Sequence, residues 1–194
     1  MFIKTAGFKK MIKEAYTREG LRVINNGDTY TLASGWWAME IEAGFFPKKE
    51  KAAVIELTGE LPEKGLGFWA TKEGNQYEIV ENSFFEVMEA ARETEKRLNM
   101  TKLWMQCESR IVRVLQNPVT NGIVLINQLI TQSISQNEMD TQNGECNMEG
   151  PLIGPQGDVI WRDNVMALRV FGTRTDEQSD TGRNVAMMER GLWK

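Results

Sequence analysis

The sequence of 194 residues contains no histidine. Imidazole is the commonest general acid or base near neutral pH, the usual partner of serine and cysteine nucleophiles, and a frequent zinc ligand. Its absence excludes Ser-His and Cys-His catalysis and the HExxH class of metal sites. No aspartate or glutamate is followed two positions later by lysine, so the Asp/Glu-x-Lys element of many nucleases is missing as well. These absences predict that the protein is not an enzyme.

Cysteine is scarce, and the glycine-rich loops that bind nucleotides are missing. Cys107 and Cys146 lie far apart and form no CxxC pair, which argues against a zinc site and against a disulfide framework. Neither a GxGxxG nor a GxxxxGK loop is present. The acidic residues Glu138, Asp140 and Glu145 lack the spacing of a calcium loop. We therefore expect no cofactor and no metal.

Long apolar runs are also missing. No run approaches the roughly 20 residues that a membrane-spanning helix needs, and the first residues lack the apolar stretch of a signal peptide. We expect a cytoplasmic protein without membrane contact, in which both cysteines are reduced. The net charge of −4 argues against a uniformly basic nucleic-acid binder, but it is compatible with a local basic face.

The clearest predicted helix covers residues 8–18, "FKKMIKEAYTR", where apolar residues follow the i, i+3, i+4, i+7 spacing. The opposite arc of this helix gathers three lysines, and like charges on one face suit either water or a polyanion. Two arginines follow on a predicted strand of the second half. Such groups contact phosphates without reading sequence. The candidate nucleic-acid contacts are therefore five cations: Lys9, Lys10, Lys13, Arg110 and Arg113.

The order of predicted elements divides the chain in two, with a tail. Residues 1–81 read as strand, helix, three strands, a helix between Pro47 and Gly59, and two strands. Residues 82–172 read as a helix opened by a Ser83 capping pattern, consecutive strands of which the last, "IVLINQLITQSI", covers residues 123–134, a mobile loop near 135–157, and a hairpin. Residues 173–194 form a tail with a short apolar segment. We predict an α+β fold of two subdomains in pseudo-repeat, whose antiparallel sheets carry helices on one side.

Two neighbouring tryptophans lie in one predicted strand, where successive side chains face opposite ways. Trp37 shares its face with Met39 and Ile41, which predicts that Trp37 is a core residue. Trp36 shares its face with carboxylates, and we expect it to pack at a contact between subdomains or subunits. Replacing Trp36 with alanine should then disturb association more than folding. Trp104 and Trp161 are expected in the core of the second subdomain.

The carboxylates beside Trp36 leave an enzymatic alternative open. Glu40 and Glu42 lie two positions apart on one strand face, and paired carboxylates next to an aromatic ring are typical of glycoside-cleaving sites. A carboxylate-based hydrolase would need a pocket that contains both groups. Two glutamates on an exposed strand are more often a solvated face, so this alternative ranks last.

The end of the chain offers a second alternative. Val185, Met188, Leu192 and Trp193 would share one side of a helical turn or two in "VAMMERGLWK". This apolar cluster docks either on its own domain or on another protein, and the first is more frequent. The second would make the chain a protein-binding module that never touches nucleic acid.

The segments "MFIKTA", "FKKMIKEAYTR", "TYTLASGWWAMEIE" and "FPKKEKAAVIELTG" occur in an order that resembles one domain of a DNA sliding clamp. The second half looks like a looser copy, and its late strand "NVMALRVF" is similar to the final strand of bacterial clamps. An acidic protein with a basic helix also resembles the electrostatic plan of this family. The resemblance is one of topology and rests on no specific motif.

The resemblance implies a non-enzymatic accessory protein that associates with double-stranded DNA or with a replication or repair protein. It further implies a homo-oligomer, since a ring must close around the duplex. Lys9, Lys10 and Lys13 would face the DNA. The remaining candidate partner contacts are Trp36 and three residues that would lie near a peptide groove: Met166, Leu168 and Val170.

Overall fold

A computed structural model describes residues 1–79, 87–94, 96–107, 110–135, 148–172 and 180–190. These ranges contain five helices and eleven strands. The helices are α1 (Thr5–Arg18), α2 (Lys48–Thr58), α3 (Val87–Arg92), α4 (Gln128–Ser133) and α5 (Asp180–Glu189). The strands are β1 (Leu21–Asn25), β2 (Thr29–Ala33), β3 (Trp37–Glu42), β4 (Leu66–Thr71), β5 (Gly74–Ile79), β6 (Asn99–Cys107), β7 (Arg110–Gln116), β8 (Ile123–Asn127), β9 (Glu149–Ile153), β10 (Val159–Arg162) and β11 (Met166–Val170).

Eight strands form one antiparallel sheet in the order β5-β4-β1-β2-β3-β11-β10-β9. The first and second halves of the chain meet where β11 pairs with β3, with Leu168 opposite Met39. The sheet therefore takes strands from both predicted subdomains, and the predicted boundary at residue 81 does not separate two sheets. The predicted class, α+β with antiparallel sheets, is confirmed.

Helices cover both faces of this sheet. α1 and α2 pack together on one face, and the apolar stripe of α1 is fully buried there: Phe8, Met11, Ile12 and Ala15. α2 begins after Pro47 and ends at Gly59, which has a left-handed φ of 87°. The short helix α3 lies on the other face, where Ala33, Ala38 and Ala167 allow a close approach. The prediction of helices on one side therefore needs correction.

A second sheet has the order β6-β7-β8, and its two faces are covered differently. α4 packs on one face and also against α1. α5 packs on the other, where Met188 joins Cys107, Val112 and Leu125. The sequence predicts a strand that continues to residue 134, but β8 ends at Asn127. Instead the Asn127 side chain accepts a hydrogen bond from the Leu129 backbone N–H and caps α4.

Several finer predictions also need correction. The first residues form no strand, and Ile3 makes only an isolated bridge to Ile134. Trp161 is buried as predicted, but it lies in the same core as Trp37, whereas Trp104 is exposed. The described end of the predicted loop contains β9, while its residues 136–147 and the predicted cap at Ser83 lie outside the described residues. In the part of the chain that the structure describes, no helix is long and apolar enough to cross a membrane.

Candidate nucleic-acid interface

The orientation of α1 decides which of its cations meet solvent. Its apolar stripe is buried against the eight-stranded sheet, and burial of such side chains is the main force that holds the helix. Lys9, Lys10 and Lys13 are exposed as a consequence. The helix extends over 14 residues, or about 21 Å, so its outer side is long enough to follow several phosphates.

A groove of about 520 Å³ runs between α1, α4 and the start of β7. Two of its cations, Lys10 and Lys13, come from α1, and a third, Arg110, comes from β7 although it lies about a hundred positions later. Arg18, in the last turn of α1, adds a fourth. Glu14 contributes the one carboxylate of the lining. The other lining residues are uncharged: Thr17, Ile111, Asn127, Gln128, Leu129 and Gln132.

The charges along this groove are unequally paired. Glu14 lies 3.5 Å from Arg18 on the same helix. Glu19 lies 3.3 Å from an amino group of Arg110 and holds that side chain at the end of the groove. Lys10 and Lys13 form no ion pair with any residue in the described ranges. The groove therefore has an excess of positive charge with two lysine ammonium groups directed to water.

The other two predicted cations lie elsewhere. Lys9 points towards α2, where its ammonium nitrogen is 3.9 Å from a carboxylate oxygen of Glu56. Arg113 lies on the β7 face that α4 partly covers, directly between Trp104 on β6 and Ile126 on β8. Its Nε is buried and has no hydrogen-bond partner among the described residues. The structure thus brings together Lys10, Lys13 and Arg110, but it separates Lys9 from them.

Arg18 and the amides of Gln128 and Gln132 were missed from the sequence. Arg18 lies eight residues after Lys10, close to two helical turns, and that spacing was the available signal. The two glutamines had no comparable signal, because residues 128–133 were predicted as strand. Asn127 followed by an apolar run was the cue for a helix start.

The predicted peptide groove along β11 needs correction. Met166, Leu168 and Val170 are fully buried in the main core, because β11 is an inner strand and this face lies under the layer of α1 and α2. Side chains without exposed surface cannot line a groove in this structure.

Trp36 and Met188 also pack against residues of their own chain. Trp36 is only 8% exposed, packs edge-on against Trp37 with ring centroids 6.4 Å apart, and has the Arg110 guanidinium carbon 5.9 Å from its ring. Met188 packs on the three-stranded sheet, so α5 docks on its own chain. Leu192 and Trp193 lie outside the described residues.

A separate acidic pocket of about 570 Å³ contains both Glu40 and Glu42, together with Asp28, Glu89 and Arg92. The condition set for the hydrolase alternative, one pocket with both carboxyls, is therefore met. However, both Glu40 oxygens already accept hydrogen bonds, one from the Thr29 hydroxyl and one from the Met88 backbone N–H. Glu40 thus ties α3 to the sheet. Among the described residues no group of three potential ligands is arranged for a metal.

Comparisons with known proteins give a weak structural similarity and no family. No family model matches the chain, and no curated protein does. A solved structure, the DNA polymerase III beta chain from Streptococcus pneumoniae, is similar at 9% sequence identity with a TM-score of 0.33. The match covers 93% of this chain and 66% of that one, slightly less than two thirds of its length. The predicted weak resemblance to the sliding-clamp fold is confirmed as such, and it carries no argument about function.

Proposed function

We propose that the protein is a non-enzymatic accessory protein that binds DNA by holding the sugar–phosphate backbone of a duplex in the groove between α1, α4 and β7. One observation carries the proposal. Lys10 and Lys13, from the first helix, and Arg110, from a strand far along the chain, line the same groove. A solvated helix face would account for the two lysines alone, whereas Arg110, held by Trp36 and Glu19, adds a third cation from the three-stranded sheet.

The chemistry of the groove suits phosphate rather than base recognition. Lysine and arginine neutralise phosphates and release counterions, and the side-chain amides of Asn127, Gln128 and Gln132 are donors for phosphate oxygens. Because the chain as a whole carries a charge of −4, its other surfaces repel DNA and orient the groove towards it.

The salt dependence of binding tests this proposal. Four cations in contact with phosphates would give log K against log salt concentration a slope of about −3.6. The double substitution Lys10→Ala/Lys13→Ala should reduce the slope to about −1.8 and weaken binding at low salt by at least about tenfold. Fluorescence anisotropy of a labelled random-sequence duplex, titrated at several salt concentrations, measures both quantities.

A matched variant controls for the loss of two charges. Lys64→Ala/Lys72→Ala removes two exposed lysines from the loops flanking β4, neither of which lines the groove. Its slope should equal that of the wild type. If the two double variants behave alike, DNA is attracted by general charge and not by this groove. If wild type shows no binding even at low salt, the proposal is wrong.

The alternative of a protein-binding module is less well supported. It needs the C-terminal apolar segment to be available, whereas the described part of that segment, α5, packs on the chain's own sheet through Met188 and Val185. Deleting residues 172–194 would consequently expose Cys107, Val112 and Val114. We expect this deletion to lower the solubility of the protein, which would obscure any loss of binding to a partner.

A further inference from the structure

Exposed apolar side chains continue from the groove onto the face of the three-stranded sheet. Trp104 on β6 is 62% exposed, and Ile111 on β7, which lines the groove, is 48% exposed. Arg113 lies directly opposite Trp104 in the register, and Ile111 lies two positions before Arg113 on the same strand. The three side chains therefore share one face, with Trp104 and Ile111 as diagonal neighbours about 7–8 Å apart. We call these three residues the shelf.

The shelf is open for a reason that the topology explains. In the row Trp104, Arg113, Ile126 the exposure falls from β6 across β7 to β8, because Ile126 on β8 is fully buried under α4 and α1. α5 covers the opposite face, so it does not shield Trp104. A large indole ring on an edge strand beside a cationic groove has no structural function that the described contacts reveal.

The Arg113 guanidinium adds a polar component to the shelf. Its Nε is buried without a hydrogen-bond partner in the described ranges, although an unpaired buried donor is costly. In the register Arg113 lies between the exposed Trp104 and the buried Ile126, so it borders the shelf on its inner side. Arg113 is partly exposed as a residue, so a phosphate oxygen on the shelf would meet the exposed part of its side chain and not the buried Nε.

We infer that the shelf binds unpaired bases, so that the preferred ligand is DNA with a single-stranded segment, whose bases stack on Trp104 while its phosphates follow Arg113, Arg110 and the α1 lysines. This inference rests on the proposed function, since it uses the same groove for the backbone. Every base has an aromatic face, so stacking on an exposed indole is tolerant of sequence, and it combines with a cationic track in proteins that bind single strands. A fully paired duplex offers the shelf no base, and its contacts would be limited to the groove.

The test compares three fluorescein-labelled probes: an oligothymidine, a blunt duplex of the same length, and that duplex with an oligothymidine extension. Wild type should bind the extended duplex more tightly than the blunt one. Trp104→Ala should weaken binding of the oligothymidine and the extended duplex by roughly 5- to 150-fold and leave the blunt duplex unchanged. Trp104→Phe should restore most of the lost affinity, because a smaller aromatic ring still stacks.

Intrinsic fluorescence gives a second readout that a purely structural effect would not produce. Stacking of a base on Trp104 should quench part of the tryptophan emission when unlabelled oligothymidine is added, and this quenching should disappear in Trp104→Phe. Phe45→Ala is the matched control, because Phe45 is a comparably exposed aromatic residue, 60%, that borders the acidic pocket and not the groove. It should bind all three probes like wild type.

The outcomes separate this inference from the proposed function. If Lys10→Ala/Lys13→Ala weakens binding but Trp104→Ala binds every probe like wild type, the groove binds DNA and the shelf inference is wrong. If wild type binds none of the probes, the proposed function fails and the inference fails with it. An equal loss for Trp104→Ala on the blunt and extended duplexes would also overturn it, since the shelf would then contact backbone or protein instead of unpaired bases.

Discussion

Trp36→Ala is expected to lower the free energy of unfolding by about 3–5 kcal/mol, the usual range for truncating a buried tryptophan. Its ring is almost completely enclosed, lies edge-on against the fully buried Trp37, and carries the Arg110 guanidinium. Alanine would leave a cavity exactly where the eight-stranded sheet meets the start of β7. The sequence led us to expect a larger effect on association than on folding. Because the partner of Trp36 belongs to the same chain, the structure reverses that expectation.

Urea denaturation measures this effect as a shift of the transition midpoint at unchanged slope. Trp104→Ala is the control within the same chain, since its indole is largely exposed and should cost less than about 1 kcal/mol. Trp36→Phe should lie between the two, because it keeps an aromatic ring under Arg110. A Trp36→Ala protein that is as stable as Trp104→Ala, but has a changed molar mass in light scattering, would show that Trp36 contacts another chain.

The same variant connects stability with the proposed site. Arg110 is held between Trp36 and Glu19, by a cation–π contact on one side and an ion pair on the other. With Trp36 removed, the guanidinium loses its cation–π contact, and the ion pair with Glu19 alone no longer fixes its orientation in the groove. We expect the slope of the salt dependence to fall by about one unit at temperatures where the variant is still folded. An unchanged slope would mean that Arg110 contributes no phosphate contact.

Local pattern was enough to predict several elements of this fold. It was not enough for Trp36, which lies before β3 and packs in the same core as Trp37, so the predicted opposite facing of the two rings is wrong. The apolar spacing of α1 and the ends of α2 at Pro47 and Gly59 follow from interactions within a few residues. The joining of β11 to β3 does not. It pairs residues more than a hundred positions apart, and neither strand contains a local signal that identifies its partner strand. The predicted subdomain boundary lies where the local composition changes, but the eight-stranded sheet takes strands from both sides of that position.

Residues 123–134 show why one period can be mistaken for another. The continuous apolar run at residues 123–126 is typical of a strand buried on both faces, but Ile126, Ile130 and Ile134 repeat every four residues, which is typical of a helix. The cap at Asn127 decides between them. Trp104 was misplaced for a different reason, since alternation shows which residues share a face but not which face is covered.

Half of the candidate site was accessible from the sequence by the same logic. Lys10 and Lys13 follow from the helical arc alone, because helix amphipathicity is a local property. That Arg110 joins them, while Lys9 turns to Glu56, depends on how α4 and β7 pack against α1. The burial of Met166, Leu168 and Val170 likewise depends on the position of β11 inside the sheet. The position of a charge on one helix follows from the nearby sequence, whereas the formation of a groove depends on how distant elements pack together.

Arg169→Met is expected to lower the free energy of unfolding by about 3–5 kcal/mol, because it leaves the carboxylate of Asp158 buried without its cation. Asp158 is 2% exposed, and its Oδ2 lies 2.6 Å from the Arg169 Nε. The arginine also stacks over Phe171 at 5.4 Å, at the end of the strand that joins the two halves of the large sheet. One backbone N–H, that of Gln156, would remain to the carboxylate and cannot replace a charge.

A double-mutant cycle of Asp158→Asn and Arg169→Met, followed by urea denaturation, separates the ion pair from the packing. The double variant should recover part of the loss, because no buried charge remains unpaired. Arg18→Met is the matched control, since Arg18 forms an exposed pair with Glu14 on α1 that is expected to contribute less than about 0.5 kcal/mol. Equal stability of the two single arginine variants would mean that water reaches Asp158, and that the start of β10 is held to β11 by backbone pairing and apolar packing alone.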